Sequence, residues 1–159
     1  MLRSEQRFRL MLCVGAPVLF GILTGIFNVT DIIRVCKKIH RPPLTAPALL
    51  MVVVWLAIYI AIGLATYLVL DSHIYKEEKL LALGVCAGQL LLHTFWIMVF
   101  FNTSLWLLSA FLHLLYLALV LLNTLLYYKI DNRSGLLLVP CAVVSIYYTY
   151  LSIVIIFLN

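Results

Sequence analysis

The chain has 159 residues, 65% of them hydrophobic and 11% charged, with a mean hydropathy of +1.15. A soluble domain carries about a quarter charged residues, so this sequence cannot cover a water-facing surface; it reads as one all-α integral membrane domain. The net charge of +5 sits in short connections, which suits anionic lipid headgroups, and with no extended basic face to follow a phosphate backbone no nucleic-acid partner is expected.

Charge positions set the topology. Every Asp, Glu, Lys and Arg lies within 3–9, 31–41, 71–79 or 129–133. The uncharged intervals are 10–30, 42–70, 80–128 and 134–159. Three of them fit one spanning helix each, at about 20 residues per span. The third interval, 80–128, would run about 70 Å as one helix, more than twice the hydrocarbon thickness. It must fold back, and Asn102-Thr103-Ser104 is its polar break, able to end one helix and cap the next. The expectation is a bundle of five transmembrane helices over 10–29, 46–70, 80–101, 104–128 and 135–158. The first has a basic lead and an apolar run without an A-x-A cleavage pattern, so it is expected to be retained. Arg3, Arg7, Arg9, Lys76, Lys79, Lys129 and Arg133 then share one side, against Arg34, Lys37, Lys38 and Arg41 on the other, which favours a cytoplasmic N-terminus.

Each span carries a small or polar stripe. Span one has Cys13, Pro17, Gly21 and Asn28; span two has Trp55, Tyr59, Gly63 and Tyr67 at i, i+4, i+8 and i+12, with Ala57, Ala61 and Ala65 opposite. Span three has Gly84, Gly88, Gln89, His93, Trp96 and Phe100. Span four has Ser109, His113, Tyr116, Asn123 and Tyr127. Span five has Cys141, Ser145, Tyr148 and Ser152. In lipid such stripes face other helices or an enclosed cavity. Gly21-x-x-x-Gly25, Gly84-x-x-x-Gly88 and the alanine row permit close backbone approach, within the bundle or in a homodimer.

No Asp, Glu, Lys or Arg lies at membrane depth. Ion pumps and proton-coupled carriers generally keep an ionisable residue there, and most enzyme mechanisms need one, so an enzyme is the less favoured class. His93 and His113 have two readings, haem or metal ligands and imidazoles hydrogen-bonded to a neighbouring helix. No Cys, Asp or Glu stands near enough in sequence to complete a metal site, and none is expected. The four cysteines, Cys13, Cys36, Cys86 and Cys141, form no CxxC pair, and no disulfide is expected. Trp55, Tyr59, Trp96 and Phe100 could stack on a flat apolar ligand or simply pack helices together. Tyr147, Tyr148, Tyr150 and Trp106 fit interfacial anchors.

Taken in order, these segments resemble the TspO/translocator protein family, also called tryptophan-rich sensory proteins or peripheral benzodiazepine receptors. Arg41-Pro42-Pro43-Leu44-Thr45-Ala46-Pro47 is similar to the family's K-P-P-F-T-P-P lead-in. Trp55, Tyr59, Gly63 and Tyr67-Leu68-Val69 fall at the spacing of its W-x3-Y-x3-G-x3-Y-L-V, and Gly88-Gln89-Leu90 with Trp96 and Phe100-Phe101 resembles its G-Q-L-x3-N-x2-W-x3-F-F. The chain departs from the pattern at Leu49 and Val144, where the family carries Trp, at His93, where it carries Asn, and at Ser152-Ile153, where it carries an Asn-Tyr pair. The resemblance implies a cavity walled by the five helices beneath the first loop, binding porphyrin or haem, or a sterol-like lipid. Carried over by position, it points to Pro42, Pro43, Pro47, Trp55, Tyr59, Gln89, His93, Trp96 and Phe100 as ligand-binding residues, with Gln89 or His93 at a polar edge. It also implies a receptor or carrier, against the alternatives of a porphyrin-degrading enzyme or a partner-binding membrane protein with no ligand. The lead-in is closer to bacterial members, implying a bacterial inner membrane rather than a mitochondrial outer one.

Overall fold

A chain without charge at membrane depth has to satisfy its backbone internally, and helices do that within one segment. The computed structural model describes residues 4–159; Arg3, counted above with the N-terminal charges, lies outside them. Five helices are present among the described residues: α1 (Ser4–Lys38), α2 (Ala48–Asp71), α3 (Lys76–Thr103), α4 (Trp106–Ile130) and α5 (Asn132–Leu158). All five are long and apolar enough to cross a membrane.

The helices outrun the predicted spans because charge ends a hydrocarbon crossing but does not end a helix. α1 has 35 residues against the 20 expected, running about 52 Å at 1.5 Å per residue. Its Ser4–Arg9 and Asp31–Lys38 ends are polar but contain no breaker, and it stops only before His40-Arg41-Pro42-Pro43. α3 begins four residues early, with Glu77 and Glu78 in its first turn, where the helix dipole favours negative charge. α2 begins at Ala48, two residues later than predicted, because Pro47 stands at its N-cap.

Asn102-Thr103-Ser104 does fold the chain back, but half of its predicted role is corrected. Ser104 ends α3 in the left-handed conformation (φ 55°). The N-cap of α4 is Leu105, with no side-chain cap bond. Thr103 Oγ1 instead accepts from the Leu105 amide at 3.3 Å. The α4–α5 turn is a single residue, Asp131, whose carboxylate accepts from the amides of Arg133 at 2.7 Å and Ser134 at 3.4 Å. So tight a turn needs Gly135, since a Cβ there would lie 2.5 Å from Tyr128 Cα.

The helices close a ring in the order α1–α2–α5–α4–α3 and back to α1. One end of the ring carries the 39–47 connection, the α3–α4 turn and the end of α5. Its core is Val35, Trp96, Val99, Phe100, Leu112 and Ile155. The core toward the other end is built on Ile62, Ala65, Val69, Ala82, Val120, Tyr127 and Leu138.

The α1–α2 contact has an uncommon cause. Pro17 lies inside α1 and has no N–H to donate to the carbonyl of Cys13, four residues back. α2 packs against that same place. A Cβ at Gly63 would lie 2.6 Å from the Cys13 carbonyl oxygen and 2.4 Å from Val14 Cα. One turn on, a Cβ at Gly21 would lie 2.2 Å from the Tyr59 ring, so Gly21 seats that ring. Gly25, Gly84 and Gly88 use their smallness differently, because a Cβ at any of them meets nothing within 4 Å among the described residues. Gly63→Ala is expected to force α1 and α2 apart and lower stability by about 1–3 kcal/mol, while Gly84→Ala leaves it unchanged or slightly raised. Denaturant unfolding in detergent, followed by helicity, measures both.

Candidate functional site

Beneath the 39–47 connection, α1, α2, α3 and α5 enclose a cavity of about 770 Å³. That is within the range of about 300–1,000 Å³ typical of small-molecule sites. α1 and α2 are in close contact at Gly63 and Gly21, and the cavity lies between that contact and the connection.

Its inner wall is aromatic. His93 lies between two tryptophans, with ring centroids 4.1 Å from Trp55 and 5.8 Å from Trp96. Tyr148 completes the group, 5.6 Å from Trp55 and 5.9 Å from Trp96. Phe100 follows Trp96 at 5.4 Å, one helical turn on. Tyr59 OH and His93 Nδ1 are hydrogen-bonded at 3.2 Å. Two buried polar atoms of this wall, His93 Nε2 and Trp96 Nε1, have no partner among the described residues. A buried polar atom left unpaired costs about 1–3 kcal/mol.

The connection forms a lid. Pro42 is buried over the cavity, and Thr45 Oγ1 donates to the Pro42 carbonyl at 2.6 Å. Leu44 takes a positive φ of 67°, outward-facing and strained for a residue with a Cβ. α5 holds the lid down. Tyr147 OH accepts from the Ala46 amide at 2.9 Å and donates to the Leu44 carbonyl at 2.9 Å. Tyr150 OH donates to the Pro43 carbonyl at 3.2 Å. Asn159 accepts from the His40 amide at 2.8 Å and donates to its carbonyl at 3.2 Å. Arg41, at the cavity mouth, donates to the Cys36 carbonyl at 3.0 Å.

The structure places the predicted residues in three groups. Pro42, Trp55, Tyr59, His93, Trp96 and Phe100 line the cavity together. Pro43 and Pro47 do not line it; the first is an exposed anchor for Tyr150 and the second begins α2. Gln89 is elsewhere. One turn deeper than His93, it accepts from Asn123 Nδ2 at 3.1 Å and donates to Cys141 Sγ at 3.7 Å, joining α3 to α4 and α5. Tyr116 OH meets the same sulfur at 3.7 Å. The tyrosines read as interfacial anchors also take other places. Tyr148 is cavity wall and Tyr147 and Tyr150 are lid fasteners. Tyr148 already stood on the polar stripe of span five, which was the available signal.

His113 is fully buried outside the cavity, and its Nε2 bonds the Ser145 carbonyl at 3.2 Å. A carbonyl only accepts, so the proton of this imidazole is on Nε2. Among the described residues no group of three or more His, Cys, Asp or Glu could hold a metal ion.

The sequence profile of the TspO/MBR family matches residues 13–158. The chain belongs to the TspO/MBR family. None of the curated proteins compared with it matches. Membership and the five apolar helices make it a multi-pass integral membrane protein.

Two substitutions separate cavity from scaffold. Gln89→Leu removes two hydrogen bonds between membrane helices, about 0.6 kcal/mol each, so denaturant unfolding in detergent should show stability lowered by about 1 kcal/mol. Tyr147→Phe removes two lid bonds worth about 1 kcal/mol each, so exchange of the Ala46 amide should accelerate on the order of tenfold or more by hydrogen–deuterium exchange.

Proposed function

We propose that this TspO/MBR protein is a membrane receptor or carrier for a flat apolar ligand of the porphyrin, haem or sterol-like class, held under the lid. The observation that carries the reading is the aromatic wall. Trp55, His93, Trp96 and Tyr148 present ring faces and edges to one cavity of about 770 Å³. Planar π-surfaces gain most from such rings. A tetrapyrrole also brings carboxylates, and Arg41 at the mouth, with Arg34, Lys37 and Lys38 on the last turns of α1, supplies cations on that side. A homodimer through the unpacked Gly84 and Gly88 face of α3, and residence in a bacterial inner membrane, belong to the same reading.

The receptor or carrier class fits better than an enzyme. The wall carries no carboxylate or lysine, and its one imidazole, His93, is bonded through Nδ1 to Tyr59. Protoporphyrin or haem at micromolar concentration should quench the tryptophan emission of the reconstituted protein. Trp96→Ala should weaken the apparent affinity roughly tenfold or more, given about 1–3 kcal/mol for one stacked aromatic. Saturable quenching that Trp96→Ala leaves unchanged would place the ligand elsewhere, and no quenching by either tetrapyrrole would remove that ligand class.

A further inference from the structure

The cavity has two boundaries of opposite character. Toward water it is fastened, because the lid is tied to α5 through Tyr147, Tyr150 and Asn159. Toward lipid it is not. α1 and α2 touch closely at Gly63 and Gly21, and beyond that contact their facing side chains are at once cavity wall and outer surface. Ile26 of α1 and Val52 of α2 both line the cavity, yet are 61% and 65% exposed. Ile22, Val29 and Leu56 combine lining and exposure in the same way. Between them lies Gly25, also lining, where an added Cβ would meet nothing within 4 Å. No charged side chain stands in this stretch of either helix; Asp31 and Arg41 are the nearest, at the headgroup end.

We infer that the gap between α1 and α2 is a lateral portal, through which molecules dissolved in the acyl-chain region, lipid tails included, enter the cavity without passing the lid. The chemistry follows from the walls. An apolar solute of the class proposed above partitions into the bilayer long before it meets the protein. The portal lets it slide from hydrocarbon into a hydrocarbon-like wall with no intervening exposure to water, whereas the lid route requires breaking several hydrogen bonds. Gly25 sets the width of the opening. Arg41, at the upper rim, meets the acidic end of an amphiphile that enters tail first, at the depth where headgroups lie.

The portal is tested without any ligand. In a Trp106→Phe protein, Trp55 and Trp96 are the remaining tryptophans, and both line the cavity. Reconstituted into phosphatidylcholine bilayers brominated along the acyl chain, this protein should lose most of its emission relative to unbrominated bilayers. Water-borne acrylamide should quench it little. Gly25→Phe in the same background should restore most of the emission, and Gly25→Leu part of it, with helicity by circular dichroism confirming that each variant folds. Emission unchanged by brominated lipid, or lost equally in folded Gly25→Phe, overturns the portal. The ligand arm rests on the reading of the cavity as a ligand site, and protoporphyrin quenching run in parallel separates the two. Protoporphyrin binding without bromine quenching sinks the portal alone; bromine quenching without protoporphyrin binding sinks that ligand alone and leaves the portal standing.

Discussion

The shape of the molecule depends on one close contact. Gly63 of α2 presses against the Cys13–Val14 backbone of α1, at the carbonyl that Pro17 leaves without its helical donor. Between that contact and the lid connection, α1 and α2 line the cavity, and Tyr59, seated on Gly21, forms part of its wall. A side chain at position 63 would move the helices apart where they should meet and change the cavity where nothing touches it.

The polar groups of the interior fall into two regions, each with unpaired atoms: Asn123 Oδ1 in the deeper one, His93 Nε2 and Trp96 Nε1 toward the lid. Toward the α2–α3 end, Gln89, Asn123, Cys141, Tyr116, Thr66 and Tyr127 are bonded largely to one another across helices, which fixes rotation and register. Hydrogen bonds of this kind contribute about 0.6 kcal/mol each on average in membranes, so their effect is on specificity more than on stability. Toward the lid, His93 and Trp96 stack with Trp55 and Tyr148 along the cavity.

The sequence carried the number and order of the helices because charge, at this composition, appears only outside the hydrocarbon. The fold-back at 102–104 followed from length alone. Helix ends were illegible, since Glu77, Glu78, Lys37 and Lys38 mark the membrane edge and continue the helix through it. The Trp55/Tyr59/Gly63 stripe correctly marked a face, but not that Gly63 meets α1 while Trp55 meets the cavity. Gln89 shared a stripe with His93 and Trp96, and only the neighbouring Asn123 and Cys141, on other helices, take it out of the wall. Tyr147 and Tyr150 gave no periodic sign of their role, because they bond to backbone carbonyls roughly a hundred residues earlier in the chain.

The most direct test of this account is an experimental density map of the protein in a lipid bilayer with haem added. Density for the macrocycle in the cavity beside Trp55, Tyr59 and Trp96, beneath an ordered lid, is the predicted result. Haem bound on the outer surface of the helices, or an interior collapsed until Trp96 fills the space under Pro42, would contradict it.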